Sequence, residues 1–180
     1  MKKGFIILAV IVVILIFGWM SIYNTLATKD EKVNQNQSEI DNQLKRRAEL
    51  IPNLVSTVKG VTAQELALVN AVTDARVKMS SGTTQEKLAA NAALTTSINV
   101  LVENYPALKS DTAFVALMDE LAGSENRITV ANKAYNDEVG SFNAMIKRFP
   151  SSLVASMSGF EKKTYLEITA ADKVLPEVKF

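Results

Sequence analysis

The chain has 180 residues and a formal net charge of +1, from 20 lysines and arginines against 19 aspartates and glutamates. It contains no cysteine and no histidine, which excludes disulfides, thiolate metal ligands and cysteine nucleophiles and removes the usual general base at neutral pH. No basic surplus is present to hold nucleic acid. We therefore expect no enzyme, no cofactor, no metal site and no nucleic-acid partner.

An uninterrupted apolar stretch, Gly4–Ile22, follows Lys2 and Lys3. As a helix it measures about 28 Å, close to the ~30 Å hydrocarbon core of a bilayer. Trp19 and Tyr23 near its distal end suit the aromatic belt at a lipid–water boundary. The stretch predicts a single transmembrane anchor that stays attached to the chain.

Two other interpretations of this segment are open. A secretory signal peptide has an apolar region of roughly 7–15 residues before a small-x-small cleavage site, and the candidate site here, Thr25–Ala27, is poor. The Lys3–Phe5 start resembles the cleavage point of type IV prepilins, which usually carry a glutamate where this chain has Ala9. Both departures favour the anchor.

The charges that flank the anchor predict its orientation. Lys2 and Lys3 lie directly against its N-terminal end, whereas Lys29 and Lys32 lie further out and are interleaved with acidic residues. The positive-inside rule then favours a cytoplasmic N-terminus in the cell membrane and a domain outside the cytoplasm.

Beyond the anchor, apolar positions recur at steps of three and four. The two tracks are Leu44, Ile51, Val58, Glu65, Val72 and Met79, and Ile40, Arg47, Leu54, Val61, Leu68 and Ala75. They predict one long helix that begins near Tyr23 and ends around Met79. Pro52 lies inside the pattern and predicts a kink near Ala48–Pro52, with a break into two helices as the alternative.

Two more helices follow. Thr83 and Glu86 form a capping box for the second, which should end near Asn104. Ser110 or Asp111 caps the third. Its apolar stripe comprises Phe114, Leu117, Leu121, Glu125, Ile128, Tyr135, Val139, Phe142, Ile146 and Phe149, and Pro150 closes it. Leu153–Met157 suits a short helix, and Gly159 a turn.

Together these elements predict an all-α chain, in which an N-terminal transmembrane helix precedes an antiparallel bundle of three long helices and a short C-terminal segment. The predicted domains are a short cytoplasmic N-terminus (1–3), the anchor (4–22), the helical bundle (23–171) and a loose C-terminal tail (172–180).

The run Leu44–Val55, continued by Val58–Gly60, resembles the signature of the bacterial LemA family. Further motifs follow in the family's order: Ala75-Arg76, Tyr105-Pro106, Leu108-Lys109, Glu125, Arg127-Ile128, Tyr135-Asn136, Phe149-Pro150 and Gly159-Phe160. The resemblance covers essentially the whole chain. It implies a membrane-anchored, mostly antiparallel helical bundle without established enzymatic activity, often encoded beside membrane metalloproteases or other envelope proteins.

The motif residues singled out as interaction candidates are Arg46, Arg47, Pro52, Asn53, Lys59, Glu125, Arg127, Tyr135 and Asn136. Arg47 occupies an inward heptad position, and an inward arginine needs a carboxylate. Glu125 is the inward acid that the pattern places best, so we predict that Arg47 or Arg46 pairs with a carboxylate across helices. Such a pair would fix helix register rather than perform chemistry.

The leading hypothesis is a non-enzymatic interaction protein that presents its bundle to a protein partner in the cell envelope. That partner would be a membrane protease or its substrate. The alternative is a structural or self-associating envelope protein that forms homo-oligomers through the Ile40–Met79 seam or through the anchor.

Overall fold

A computed structural model describes residues 2–58 and 65–167, and every regular element in those two ranges is helical. The helices are α1 (Lys2–Val58), α2 (Glu65–Ser80), α3 (Thr84–Asn104), α4 (Thr112–Met145) and α5 (Ser151–Ser158), with a 3-10 turn at Pro106–Ser110. The predicted all-α fold class is confirmed. The predicted tail 172–180 lies outside the described residues, and the predicted domain boundaries stay predictions.

These helices form two compact units. Within the described residues, the anchor unit consists of residues 2–36 and 134–165, and the bundle unit consists of residues 37–58, 65–133 and 166–167. Helices α1 and α4 therefore each contribute residues to both units.

Within the bundle unit, α3 runs parallel to α1. Asp41 of α1 accepts a hydrogen bond from Lys87 of α3 at 3.0 Å. Further along α1, Arg47 donates to Asn91, which is further along α3, at 2.6 Å. Because the partners advance in the same sense on both helices, the two helices point the same way.

Helix α2 is antiparallel to both α1 and α3. It packs on α3 and is joined to it by Ser81–Thr83 alone, as in an αα-hairpin. The prediction of one helix that continues to Met79 is therefore wrong, and its apolar tracks belong to two helices of opposite direction. Helix α1 does continue through Pro52, so the alternative of a break at that residue is also wrong.

Local signals set the N-terminal ends of α3 and α4 as predicted. The Thr83 side chain accepts a hydrogen bond from the Glu86 N–H, and the Glu86 carboxylate accepts one from the Thr83 N–H, which completes the capping box. Asp111 caps α4 by accepting from the backbone N–H groups of Ala113 and Phe114 at 2.8 and 3.1 Å.

The apolar stripes form the core of the bundle unit. Its buried large side chains include Ile40, Leu44, Ile51, Leu54, Val72, Met79, Leu88, Leu94, Ile98, Leu101, Leu108, Phe114, Leu117, Leu121 and Ile128. Burial of each contributes on the order of 1.5–3 kcal/mol. Helix propensity alone is a much smaller term, so this packing is what holds the helices together.

In the anchor unit, α4 runs antiparallel to α1. The Asn36 side chain donates to the Ala134 carbonyl at 3.2 Å, and Lys29 pairs with Glu138 at 3.1 Å. Helix α4 ends at Met145. The prediction that its inward stripe reaches Phe149 is wrong, because turns replace the helix after Met145 and leave that ring exposed.

The first part of α1 is not covered by any of the residues that the structure describes. Within the described residues, α1 is the one helix long and apolar enough to cross a membrane. Its exposed large apolar side chains are Phe5, Ile6, Ile7, Leu8, Val10, Ile11, Val12, Val13, Ile14, Leu15, Ile16, Phe17 and Met20. A core helix would bury them, so this segment fits a lipid environment instead. The first fully buried side chain of α1 is Leu26, one turn beyond Ile22.

Candidate functional site

The motif on α1 that the sequence analysis singled out has two distinct faces. Leu44, Arg47, Ile51 and Leu54 are buried on the inner face, at heptad spacing. Between them, Ala48 is also buried, whereas Lys45, Arg46, Glu49, Pro52 and Asn53 are exposed. The motif therefore combines a packing seam that includes one cation with an exposed surface.

Arg47 lies at the centre of a buried polar network within the bundle unit. It is 2% exposed and forms an ion pair with Glu125 of α4. Its guanidinium also donates to the Asn91 side-chain oxygen at 2.6 Å and to the Thr95 hydroxyl at 3.0 Å, both on α3. The predicted pairing of an arginine with a carboxylate across helices is confirmed for Arg47.

Asn91 completes this network. Its side-chain oxygen accepts from Arg47 while its NH₂ group donates to Glu125 at 3.0 Å. One amide thus satisfies a cation and an anion at once, which ties α1, α3 and α4 together. Because a shift of any of these helices by one turn would separate the three groups, the network fixes their register.

Burial disfavours the charged form of Arg47, but the side chain stays protonated at neutral pH. Loss of water around the guanidinium lowers the pKa of Arg47 to about 10. The side chain therefore remains charged at neutral pH, where Glu125, with 37% of its side chain exposed, supplies the counter-charge. Arg47 Nε is buried and has no hydrogen-bond partner among the described residues, so this network is incomplete on one side.

A second, more exposed polar cluster lies earlier along the same pair of helices. Asp41 of α1 pairs with Lys87 of α3, and the Thr84 hydroxyl lies 3.3 Å from the same carboxylate. Gln37 donates to the Thr84 hydroxyl at 3.1 Å. Two polar clusters, one around Asp41 and one around Arg47, therefore hold α1 against α3 in addition to the apolar contacts.

The outer face of the motif is accessible. Arg46, Pro52 and Asn53 are exposed on α1, and Arg127 is exposed on α4. The adjacent residues Arg46 and Arg47 thus differ in exposure, since Arg46 is exposed and Arg47 is buried. Lys59 lies outside the described residues.

Tyr135 and Asn136 belong to the anchor unit. Tyr135 is buried, and its hydroxyl donates to the Thr164 carbonyl at 3.0 Å. Burial raises the pKa of Tyr135, so the phenol remains a neutral donor. Asn136 is half-buried.

Residues Phe160–Tyr165, here called the strap, belong to neither a helix nor a strand and are held by α4. Asn143 donates to the Lys163 carbonyl and accepts from the Lys163 N–H, both at 2.9 Å. The Lys163 side chain pairs with Asp30 at 2.7 Å and lies 6.0 Å from the Phe142 ring centroid. Side chains therefore supply the hydrogen bonds that this backbone segment lacks from secondary structure.

The comparisons with known proteins agree with the motif. Residues 36–180 match the LemA family, which is most of the chain. The chain belongs to the LemA family. The buried Arg47 and the exposed Arg46 and Asn53 all lie within the matched range.

Individual relatives of this LemA-family chain are magnetosome proteins. It is 22% identical over 175 residues to magnetosome proteins MamQ 1 and MamQ 2 of Paramagnetospirillum magneticum, covering 81% of this chain and 64% of each relative. It is 21% identical over 173 residues to magnetosome protein MamQ of Magnetospirillum gryphiswaldense, covering 79% and 64%. The chain thus spans less than two thirds of the length of these relatives.

Sequence reasoning missed Asn91, the residue that joins Arg47 to Glu125. The structure buries Asn91, whereas the neighbouring Ala92 is only half-buried. A signal was available: steps of three lead from Leu88 through Asn91 to Leu94. A polar residue on that track is the expected partner of an inward arginine on a neighbouring helix.

The chemistry open to this LemA-family chain follows from these groups. Within residues 2–58 and 65–167, no cluster of three carboxylates could hold a metal ion. The carboxylate of Glu125 is engaged by Arg47 and Asn91 and serves as their acceptor. The network is therefore built to position helices, and the exposed outer face of α1 is the part of the motif open to a partner.

Proposed function

We propose that this LemA-family chain is a non-enzymatic, membrane-anchored protein that presents its helical bundle to a protein partner in the cell envelope. The observation that carries the proposal is the exposure of the whole apolar segment of α1, on a helix that continues into the family motif. Only a membrane or a protein surface can cover about 28 Å of apolar helix, and the length suits a membrane.

The outer face of α1 is the surface proposed for the partner. Arg46, Glu49 and Asn53 lie three and four residues apart and are exposed, so they share one side of the helix. The inner face already accounts for the buried residues of the motif. Reversible protein–protein interfaces have a polar rim, and an exposed polar helix face suits such a contact.

The same reasoning extends to location. The proposed site is the cell membrane, with a cytoplasmic N-terminus and the bundle outside the cytoplasm, because Lys2 and Lys3 directly flank the anchor. The names of the relatives state no reaction and associate them with magnetosomes. These names favour a structural or interaction role over a catalytic one.

Site-specific photocrosslinking of the full chain in its own cell membrane tests the partner proposal. A benzoylphenylalanine at Asn53 should give a discrete crosslinked product that contains a second protein. The same group at Val130, an exposed residue of α4 in the bundle unit, is the matched control and should give none. A protease or its substrate in the Asn53 product would identify the class of partner.

Other outcomes decide against the proposal. A product of twice the chain mass that contains only this chain would favour the self-associating envelope protein. Equal crosslinking at both positions, or none at either, would contradict a partner surface on the outer face of α1.

Orientation is tested separately, since the chain has no cysteine. A single cysteine that replaces Thr96, an exposed residue of α3, should react with a membrane-impermeant maleimide in intact cells. Reaction only after the cells are lysed would place the bundle in the cytoplasm.

A further inference from the structure

Helix α5 exposes a row of large apolar side chains, here called the α5 row. Phe149, Leu153 and Met157 are 85%, 55% and 71% exposed. Leu153 and Met157 are four residues apart in α5, so they lie along one side of that helix, and Phe149 lies in the turn before it. Val154 and Ala155 on the other side are buried in the anchor unit. Helix α5 is therefore apolar on two faces, and protein covers one of them.

The pairing of α4 with α1 places the start of this segment at the end of the apolar stretch. Ala134 lies opposite Asn36, and Glu138 lies opposite Lys29. Both helices rise by about 1.5 Å per residue, so continuing the antiparallel register brings Met145, the last residue of α4, close to Ile22.

A direct contact places the C-terminal end of the α5 segment beside the end of the apolar stretch as well. Phe160 follows the Gly159 cap of α5, and its ring lies 5.8 Å from the ring of Tyr23, centroid to centroid. Tyr23 immediately follows Ile22, where the apolar stretch ends. Both ends of the segment that carries the α5 row therefore lie where the anchor would leave the lipid.

The charges beside the row suit the same environment. Lys147 and Arg148 are exposed and directly precede Phe149. Basic side chains next to exposed apolar ones are the combination found in helices that lie in the headgroup region of a bilayer. Their long stems reach phosphate groups while neighbouring apolar side chains enter the acyl region.

We propose that α5 and the turn before it form a second membrane contact. The α5 row enters the interface of the leaflet in which the anchor ends, and Lys147 and Arg148 bind lipid phosphates there. The inference rests on the proposed function in one respect, that the apolar part of α1 is embedded in a membrane. It adds that the anchor unit lies against the lipid surface and does not stand clear of it.

Fluorescence quenching in lipid nanodiscs tests this with the full chain. Single-cysteine variants Phe149→Cys, Leu153→Cys and Met157→Cys would each carry an environment-sensitive dye, in nanodiscs that hold one chain and lipids with a nitroxide quencher. Ala134→Cys is the matched control, since Ala134 is an exposed residue of the anchor unit that pairs with Asn36. Asn36 lies about 21 Å beyond the apolar stretch if α1 is straight. Ile11→Cys reports whether the anchor itself is embedded.

We expect quenching of the three row positions to exceed that of Ala134→Cys by roughly threefold, as for an interfacial helix. Quenching at Ile11→Cys with row positions no more quenched than Ala134→Cys would overturn the second contact and leave the anchor intact. Absence of quenching at Ile11→Cys would overturn the anchor, and with it the proposed function. A blue-shifted dye without quenching would mean that protein covers the row, which also overturns the proposal.

The charge component has its own test. The double variant Lys147→Glu with Arg148→Glu should reduce quenching at Leu153→Cys in nanodiscs of anionic lipid and have less effect in neutral lipid. These two side chains are exposed, so the change should leave the helical content by circular dichroism unaltered. Equal quenching with and without the double change in anionic lipid would overturn the assignment of these two residues to lipid phosphates.

Discussion

The two units of this chain stabilise their helices with polar groups of different kinds. The bundle unit buries a cation, Arg47, and satisfies it with side chains from two other helices. The anchor unit uses half-exposed ion pairs such as Lys29 with Glu138, together with side chains that bind backbone, as Asn143 does. The first arrangement specifies how helices align, and the second fastens a segment that has no secondary structure.

The difference has an energetic consequence. A buried ion pair costs desolvation that its attraction only partly offsets, so its main effect is on specificity, and removal of one partner is strongly destabilising. Bonds from a side chain to the backbone bury no net charge. Their loss should release a local segment without shifting helices past one another.

The largest expected effect tests the bundle unit. Glu125→Ala leaves Arg47 charged and buried without its carboxylate, and should lower the free energy of unfolding by about 3 kcal/mol, the low end for a buried pair because Glu125 is partly exposed. Chemical denaturation of the full chain in detergent measures it. Glu120→Ala, an exposed acid on the same helix, is the control and should change stability by less than about 0.5 kcal/mol.

The triple variant Arg47→Met with Asn91→Leu and Glu125→Leu sharpens this test. Replacing a whole buried polar network by apolar side chains should recover most of the stability lost in Glu125→Ala. If Glu125→Ala is instead as stable as Glu120→Ala, the network does not contribute to holding α1, α3 and α4, and the contrast between the units fails.

The next effect tests the anchor unit. Asn143→Ala removes both hydrogen bonds to the Lys163 backbone and should cost about 2 kcal/mol, since each buried bond contributes about 1 kcal/mol. Hydrogen exchange should show the Lys163 amide losing protection while amides of α4 keep theirs. Ser141→Ala, which loses only an exposed bond from Lys29, should leave that protection unchanged. Uniform loss of protection across the unit would mean that the strap is not a separate element.

A smaller effect tests a feature of the bundle unit that is independent of the buried network. Thr83→Ala removes the N-cap of α3 and should cost about 1 kcal/mol. Thr96→Ala, in the interior of the same helix, should not destabilise it. If Thr83→Ala and Thr96→Ala changed the free energy of unfolding equally, this result would contradict the capping box.

The same cap predicts a pH dependence. Hydrogen bonds from the Thr83 backbone and then its side chain lower the pKa of Glu86, so the unfolded chain binds this proton more readily than the folded chain. The stabilisation is therefore present above the ordinary glutamate pKa of about 4.3 and is lost as the pH falls through the lower folded value. Stability of Glu86→Gln should fall less than that of the unchanged chain over this acidic range, because glutamine does not titrate, and parallel curves would argue against the assignment.

The smallest effect compares a glycine from each unit. Gly140→Ala would bring a methyl group 3.4 Å from the Tyr165 hydroxyl of the strap, whereas Gly123→Ala would meet only the end of Arg127 at 3.8 Å. Both lie inside α4, so alanine should raise stability by about 0.5–1 kcal/mol, with Gly140→Ala at the low end. A thermal unfolding shift of opposite sign for Gly140→Ala alone would show that the strap packs too tightly on α4 to yield.

Features set by local chemistry were predictable from the sequence. The capping box at Thr83, the cap at Asp111 and the inward position of Arg47 all follow from neighbours along the chain or from heptad spacing. Membership of the LemA family followed from the motif on α1, since its residues are consecutive.

Features that depend on chain direction or on irregular backbone were not predictable. The apolar tracks of α1 and α2 are in phase with each other, so the sequence pattern could not distinguish one helix from two that run in opposite directions. The strap lacks any periodic pattern, and its partners Asn143 and Tyr135 bind backbone atoms, which every residue has. The α5 row was missed because Phe149 was assigned to the core stripe of α4.

The pairing of Asn143 with Lys163 demands a donor and an acceptor on one side chain. Asparagine supplies both, and its deamidation product supplies only acceptors, one of which would face the Lys163 carbonyl and repel it. Spontaneous deamidation of Asn143 alone would thus release the strap from α4 without any cleavage of the chain.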